Sequence, residues 1–370
     1  MSIKTAYSIK DNIKDSVTEL KNQLQDVKPK MVIYFASAKY QPSELSAAMQ
    51  EAFSGATVFG NTTAGEIVTG KMLKKSIVAM AFGSDEIEDV KVEVVENLKN
   101  DSAANLKKAF SSFEKHFNTR MSDLDYKKYV GIILIDGLSL SEEKLMDNIG
   151  NLTNIFFIGG SAGDDLAFKQ TNIFANGKYY TNAAVLALLK PSTQFDFIKT
   201  QSFSVLDKKL TATKVDEGAR QVFEFNGKSA AEEYAGALGI KVEESANYFM
   251  SNPVGLMVDG MPYVRSPQQI KNKSMCFYCN IKEGMELSLL KSTDIINDTK
   301  KAVAEKKKEL GTISGIINFH CILRTLELDQ KGLSDEYGKI FADIPTLGFS
   351  TYGEEFIGHI NQTSTMLVFK

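Results

Sequence analysis

Three loops of this chain carry nearly the same residues. The first reads Gly60-Asn61-Thr62-Thr63-Ala64-Gly65-Glu66, and it recurs as Gly348-Phe349-Ser350-Thr351-Tyr352-Gly353-Glu354. A shorter version reads Gly160-Ser161-Ala162-Gly163-Asp164. Each follows a short apolar run, so each is a strand end that enters a loop with small hydroxyl residues, a glycine and an acid. Such a loop exposes backbone N–H groups, hydroxyls and a carboxylate, which suit a small polar ligand. A tight turn that needs glycine for positive φ is the alternative for each loop.

The same order of elements surrounds each loop. An apolar strand at residues 31–36 is followed by a helix that Pro42 opens, a second strand that ends in the loop, and a third strand at 76–82. This order returns at residues 129–189 and 313–369. A β-α-β start predicts parallel neighbours, and nearly continuous apolar strands predict sheets covered on both faces. We therefore expect an α/β fold with mixed, partly parallel sheets covered by helices and repeated β-α-β-loop-β units.

The composition describes a soluble globular protein. Of 370 residues, 43% are hydrophobic and 24% are charged, and the net charge of −3 disfavours a nucleic-acid partner. The first residues lack the apolar core of a signal peptide, and no run approaches the roughly 18 apolar residues of a membrane span. Three cysteines argue against a disulfide framework. We expect a cytoplasmic protein without membrane insertion.

The chain divides into three segments. A stripe formed by Ile13, Val17, Leu20 and Leu24 predicts an N-terminal helix within residues 1–29. Residues 30–220 hold the first two repeated units and form one predicted domain. Residues 221–370 begin with different material, which includes the turn Phe225-Asn226-Gly227-Lys228, and form the second predicted domain.

Five motifs in order carry a resemblance to a known family. They are Thr63-Ala64-Gly65-Glu66, Gly159-Gly160-Ser161-Ala162-Gly163-Asp164-Asp165, Phe225-Asn226-Gly227-Lys228-Ser229-Ala230, Cys321-Ile322-Leu323-Arg324 and Gly348-Phe349-Ser350-Thr351-Tyr352-Gly353-Glu354. Over residues 30–365 the chain resembles the FIST sensory family, with a FIST N domain followed by a FIST C domain. The resemblance implies an intracellular bacterial or archaeal sensory protein that binds small ligands, with amino acids as the proposed class. Since no output domain is seen, it implies a separate signalling protein as partner.

The candidate site combines acids with an arginine. Glu66, Asp164, Asp165 and Glu354 could receive a ligand ammonium, and Arg324 could hold a carboxylate bidentately, with Arg265 as a second candidate. The loops of the two predicted domains would converge on a cleft that closes on the ligand. The complete predicted ligand-binding set is Thr63, Gly65, Glu66, Ser161, Gly163, Asp164, Asp165, Arg324, Thr351, Tyr352, Gly353, Glu354 and Asn361.

Two other functions stay open at this point. Some FIST relatives bind haem and sense nitric oxide, and the axial donors here would be His116, His320, His359 or Cys321. An enzyme, a hydrolase or lyase using Asp164, Glu66 or Cys321, is the other alternative. Neither a cofactor nor a metal site is predicted, because the Cys276–Cys279 pair lies in a strand whose sulfurs point apart and has no second pair.

Overall fold

The computed structural model describes residues 3–370, apart from the side chain of Asp101. The described chain forms two compact units. Unit 1 comprises residues 1–199, 299–359 and 364–370, and unit 2 comprises residues 200–298 and 360–363. Unit 1 therefore contains chain from both predicted domains.

Unit 1 is built from three repeats with the same order of elements. The first repeat consists of β1 (Ile3–Ser8), α1 (Ile13–Gln23), β2 (Pro29–Ser37), α2 (Pro42–Ala52), β3 (Thr57–Thr63), β4 (Glu66–Val68), β5 (Lys71–Leu73) and β6 (Ile77–Gly83). The second repeat consists of β7 (Ile87–Glu96), α3 (Leu98–Phe117), β8 (Val130–Ile135), α4 (Glu142–Gly150), β9 (Phe157–Ser161), β10 (Ile173–Ala175), β11 (Lys178–Tyr180) and β12 (Ala183–Pro191).

Unit 2 interrupts the third repeat after its first strand, β13 (Phe195–Gln201). The elements that follow are β14 (Phe203–Asp216), β15 (Gln221–Phe225), β16 (Lys228–Ser229), α5 (Ala230–Leu238), a 3-10 helix (Val242–Tyr248), β17 (Val254–Val258), β18 (Met261–Arg265), β19 (Pro267–Lys271), β20 (Ser274–Phe277) and β21 (Glu286–Ser292). The third repeat then continues with α6 (Ile295–Leu310), β22 (Gly315–Cys321), α7 (Ile322–Lys331), α8 (Ser334–Lys339), β23 (Thr346–Thr351), β24 (Glu354–Phe356), β25 (His359–Ile360) and β26 (Thr363–Phe369).

The predicted N-terminal helix is shorter than the segment assigned to it. Helix α1 begins after Asn12, whose side chain accepts a hydrogen bond from the Asp15 N–H, and it buries Ile13, Val17 and Leu20 as the stripe predicted. Residues 3–8, which were grouped with this helix in the segment 1–29, form β1 and pair antiparallel with β6. The sheet edge decides this difference, because strand pairing depends on partners distant in the sequence.

The three repeats exchange hairpins in a cycle. The sheet of the first repeat has the order β1-β6-β2-β3-β10-β11, and that of the second has β7-β12-β8-β9-β24-β25. The sheet of the third has β13-β26-β22-β23-β4-β5. Each repeat therefore adds its short hairpin to the edge of another repeat's sheet. Strand pairs β2–β3, β8–β9 and β22–β23 are parallel. Strand pairs β2–β6, β8–β12 and β22–β26 are antiparallel. Each sheet is therefore mixed, and the predicted mixed α/β fold is confirmed.

One face of each sheet packs into a shared core. Phe35, Leu134 and Phe319, one from each repeat, belong to a single buried cluster. Helices α1 and α2 bury a second cluster against the other face of the first sheet, and α3 and α4 do the same for the second sheet. The first and second sheets are thus covered on both faces, as the apolar strands predicted.

An equivalent glycine stands in the second parallel strand of every repeat. Gly60, Gly159 and Gly348 lie opposite Tyr34, Ile133 and Asn318 in the parallel registers. A Cβ at these glycines would lie 1.8, 1.7 and 2.3 Å from the carbonyl oxygens of the opposite residues. Close approach of two strands therefore requires glycine at these positions, where each loop begins.

Unit 2 holds its own sheet and core. Its strands follow the order β18-β17-β21-β14-β15-β20-β19, with β16 beside β15. Phe225, Tyr234 and Leu287 belong to the cluster that this sheet buries with α5.

Candidate functional site

The three loops meet in one hydrogen-bonded junction inside unit 1. The N–H of Ala64 donates to Ser350 O at 3.2 Å, that of Tyr352 to Ser161 O at 3.0 Å, and that of Gly163 to Thr62 O at 3.0 Å. The return bonds run from Ser350 N to Gly65 O at 2.7 Å, from Ser161 N to Gly353 O at 2.8 Å, and from Thr62 N to Asn172 O at 2.9 Å. Each repeat is thus bonded twice to each of the other two.

The acids of the first and third loops are held by their own loops. Glu66 accepts hydrogen bonds from the Thr63 hydroxyl and from the N–H and hydroxyl of Ser76, the latter two at 3.0 and 2.6 Å. Glu354 accepts from the Thr351 hydroxyl at 2.5 Å. Both glutamates are buried. Their carboxylates stabilise the junction, and burial raises the pKa of Glu66 to about 7, although the bonds from Ser76 and Thr63 lower it.

The second loop aligns differently from its sequence match. Where the hairpin of one repeat pairs with the sheet of another, Glu66 lies opposite Phe349 and Glu354 lies opposite Gly160. The residue of the second repeat in the equivalent place is Ile173, which lies opposite Asn61. Ala64 and Gly65 are adjacent, whereas their equivalents, Gly163 and Asn172, are separated by residues 164–171. Asp164 is therefore the first residue of an insertion and has no counterpart in the other two loops.

Residues 164–171, which we term the insertion, fold around Asp164. Its Oδ1 accepts from the N–H of Phe168 at 2.9 Å and its Oδ2 from those of Lys169 and Gln170 at 2.6 and 3.0 Å. The Tyr352 hydroxyl donates to Asp164 Oδ1 at 2.6 Å and accepts from the Leu166 N–H at 3.0 Å. Tyr352 therefore joins the third loop to the insertion.

The insertion carries backbone strain and exposed apolar groups. Asp165, Leu166 and Phe168 have φ values of 54°, 66° and 50°. Non-glycine residues pay about 1–2 kcal/mol each in this left-handed region. Phe168 is 53% exposed, yet its ring stacks on Tyr352 with centroids 4.9 Å apart. Such strain persists where the surroundings impose it and gathers at ligand clamps and switch segments.

Two further bonds fix the ends of the insertion. The Ser37 hydroxyl donates to Asp165 Oδ2 at 2.7 Å, and the Thr171 hydroxyl donates to Asp136. Asp136 follows β8 directly and also accepts from the Leu138 N–H at 3.0 Å. Asp136 therefore anchors the C-terminal end of the insertion.

The other predicted residues lie elsewhere. Arg324 is buried in the first turn of α7 and donates to the Thr299 hydroxyl at 3.1 Å. Thr325, the next residue, contacts Ser350 through hydroxyls 2.8 Å apart, so α7 touches the third loop. Asn361 belongs to unit 2, whereas the three loops belong to unit 1. Arg265 also belongs to unit 2.

The residues considered as haem donors have other surroundings in the structure. His116 pairs with Asp89 at 3.0 Å on the surface. His320 and Cys321 are buried in β22, where burial lowers the pKa of His320. His359 binds Glu355 at 3.1 Å in a carboxylate-rich setting. Haem needs an apolar pocket with an axial donor, so these residues do not fit it.

Cys276, Cys279 and Cys321 are buried, and none of them forms a disulfide in the structure. Cys279 donates weakly to Val264 O at 3.9 Å. Over residues 3–370 no group of three or more His, Cys, Asp and Glu side chains is arranged to hold a metal ion. No helix in that range is long and apolar enough to cross a membrane.

A polar cluster beside the junction was missed by sequence reasoning. The Ser161 hydroxyl lies 3.3 Å from carboxylate oxygens of both Glu142 and Glu355, and Glu355 binds His359 Nδ1. Glu142, Glu355 and His359 are buried, with exposures of 1%, 0% and 3%. The signal was available in Glu354-Glu355, because adjacent strand residues point to opposite faces and only one of these acids can brace the loop.

Comparison with known proteins agrees with this repeated α/β architecture. The family model described as the FIST N domain matches residues 30–228, and that of the FIST C domain matches residues 230–356. The chain belongs to the FIST family, whose domains are sensory domains implicated in signal transduction.

One curated relative matches part of the chain. It is an uncharacterized protein of Methanocaldococcus jannaschii, 25% identical over 201 residues. The match covers 50% of this chain and 38% of the relative, so the chain spans well under half of that protein's length.

Proposed function

We propose that this protein is a sensor that binds a small polar ligand beside the loop junction of unit 1 and signals to a separate partner protein. The observation that carries the proposal is the insertion, which is strained, partly exposed and tied to the third loop by Tyr352. An amino acid is the ligand class that we propose to test first.

The rigid junction and the strained insertion supply two different parts of a sensor. The junction is buried and its backbone groups are paired across all three loops. The insertion holds its shape through bonds of Asp164 and the Tyr352 hydroxyl, together with the Ser37–Asp165 and Thr171–Asp136 bonds at its ends, and these side-chain bonds offset the strain. A ligand that favours one arrangement of the insertion would shift its population by the difference in affinity for the two arrangements.

The partner protein would bind the exposed part of the insertion. Leu166 and Phe168 are 39% and 53% exposed. Both would change position if the Tyr352 hydroxyl released the insertion. We place the partner contact there because a bistable segment passes a signal only if its two states differ at the surface.

The experiment has two stages. A thermal-shift screen of amino acids and other small polar compounds finds stabilising ligands, since a ligand that binds only the folded state raises its stability. Hydrogen exchange with mass spectrometry then compares the protein with and without each ligand. We expect a change in exchange confined to residues 164–171 and their neighbours. A stabilising ligand that leaves this segment's exchange unchanged contradicts the proposal.

A further inference from the structure

We call the short hairpin that each repeat adds to another repeat's sheet a guest hairpin, and the repeat that receives it the host. The three guest hairpins contact their hosts differently. Each hairpin lies on the edge of a host sheet, and we term the place where a hairpin joins its host repeat a seam. At the first seam, α8 packs on β5 so closely that a Cβ on Gly338 would lie 2.8 Å from Lys71 Cα. At the second seam, the Ser46 hydroxyl of α2 donates to Gly177 O in the tip of the β10–β11 hairpin at 3.3 Å. Both seams are closed by direct contact.

The third seam, where the β24–β25 hairpin joins β9, is different. Its tip residue Ile357 is 69% exposed and has a φ of 63°, a strained conformation for a β-branched side chain. Among the described residues other than its two chain neighbours, no heavy atom lies within 4 Å of the position that a Cβ would take on Gly358. The tip of this hairpin therefore lacks the helix contact that its two equivalents make.

Two buried polar atoms without hydrogen-bond partners flank this hairpin tip in the sequence. Glu355 Oε2 and His359 Nε2 are buried and have no hydrogen-bond partner among the described residues. The His359 ring lies against Gly353, where a Cβ would come within 2.1 Å of Cε1, so the glycine makes room for the ring. A buried carboxylate oxygen and a buried ring nitrogen without partners cost free energy that a bound group can recover.

The electrostatics favour a positive group. Burial lowers the pKa of His359, but Glu355, together with Glu143 and Glu142, raises it to about 9. A raised pKa favours the protonated ring, in which Nε2–H is a donor that needs an acceptor. Burial raises the pKa of Glu355, and Glu142 and Glu143 add to the rise while His359 opposes it. A cation beside Glu355 would relieve this negative field.

We infer that the third seam is the ammonium subsite of the ligand, with Glu355 Oε2 accepting from a primary ammonium and His359 Nε2 donating to a neighbouring oxygen of the same ligand. This inference rests on the proposed sensory function and assigns the ammonium to Glu355 in place of Glu66 and Glu354, whose oxygens serve the loops. The ligand class is a small primary amine with an oxygen acceptor, as in amino acids, amino alcohols and amino amides.

The test uses the full chain and three matched compound sets: the amino acids, their N-acetyl derivatives and their decarboxylated amines. Calorimetric titration of the unaltered protein should show binding for a free amino acid and at least about tenfold weaker binding for both of its derivatives. Equal binding of the N-acetyl derivative would overturn the ammonium subsite. Equal binding of the decarboxylated amine would overturn the role of the acceptor.

Two variants locate the subsite. Glu355→Gln should weaken binding about tenfold or more, while Glu44→Gln, an exposed acid in the first turn of α2, should leave it unchanged. Gly353→Ala, which displaces the His359 ring, should weaken binding as well. A ligand that binds Glu355→Gln as tightly as the parent overturns this inference and leaves the sensory function standing, whereas failure of every compound in the screen contradicts the sensory function itself.

Discussion

The backbone N–H of Tyr352 donates a hydrogen bond of 3.0 Å to the carbonyl oxygen of Ser161, which joins the third repeat to the second. The same bond recurs between the other two pairs of repeats, so a local sequence motif becomes a closed ring of contacts. Because each loop depends on a partner from a distant part of the chain, the ring forms only when all three repeats are folded. The similarity of the three loops is therefore a consequence of their equivalent places in the ring.

The equivalent glycines should be intolerant of any side chain. We predict that Gly159→Ala lowers the free energy of unfolding by at least about 3 kcal/mol, because its Cβ would lie 1.7 Å from the carbonyl oxygen of Ile133. Urea unfolding measures the change. The matched control is Gly236→Ala in α5, where the new Cβ meets no atom within 4 Å. This control should raise stability by up to about 1 kcal/mol. A tolerated Gly159→Ala would contradict the close strand approach.

The Tyr352 hydroxyl should control the insertion. Tyr352→Phe removes the donor to Asp164 and the acceptor for the Leu166 N–H. We predict amide exchange about tenfold faster in residues 164–171, which corresponds to about 1.4 kcal/mol of local opening free energy. Hydrogen exchange with mass spectrometry checks this. Tyr179→Phe, at a 45% exposed tyrosine, is the control and should exchange like the parent. Unchanged exchange in Tyr352→Phe would show that the hydroxyl does not hold the insertion.

Glu66 should make stability depend on pH. Burial raises its pKa from 4.5 to about 7 in the folded chain, so the folded state holds the proton more tightly than the unfolded state. Its favourable contribution is therefore complete below pH 4.5 and is lost as the pH rises to about 7. We predict that Glu66→Gln removes up to about 3 kcal/mol of this pH dependence.

Urea unfolding at several pH values between 4.5 and 8 measures this effect. The control is Glu51→Gln, an exposed residue of α2, which should keep the slope of the parent. If Glu66→Gln and the parent have the same slope, the buried carboxyl is not the source of the pH dependence.

The sequence was sufficient for the repeated units because their signals are local. Apolar strands, the proline that opens α2 and the glycine loops all lie within a few residues of what they determine. Unit 2 was harder, since its insertion between β13 and α6 depends on β13 pairing with β26 at the other end of the chain. The exchange of hairpins between repeats has no local signal either.

The candidate site, too, was predictable only where its sequence signals are local. The meeting of the loops followed from their positions at equivalent strand ends, and the structure brings Thr63, Gly163 and Tyr352 into the junction. The match of Asp164 to Glu66 was wrong because the insertion shifts the second loop, and only the strand register identifies Ile173 as the equivalent residue. Glu355 escaped notice because its role depends on His359 and Ser161, which the fold brings to it.

The most direct test of the account is to delete residues 164–171, which joins Gly163 to Asn172 in the way that Ala64 joins Gly65 in the first loop. Thermal unfolding is then measured with and without a ligand that stabilises the parent. We predict that the shortened protein folds with a single unfolding transition, because the junction bonds remain, and that the ligand stabilises it less than it stabilises the parent. An unfolded product would contradict the equivalence of the three loops, and an unchanged ligand response would contradict the role of the insertion in sensing.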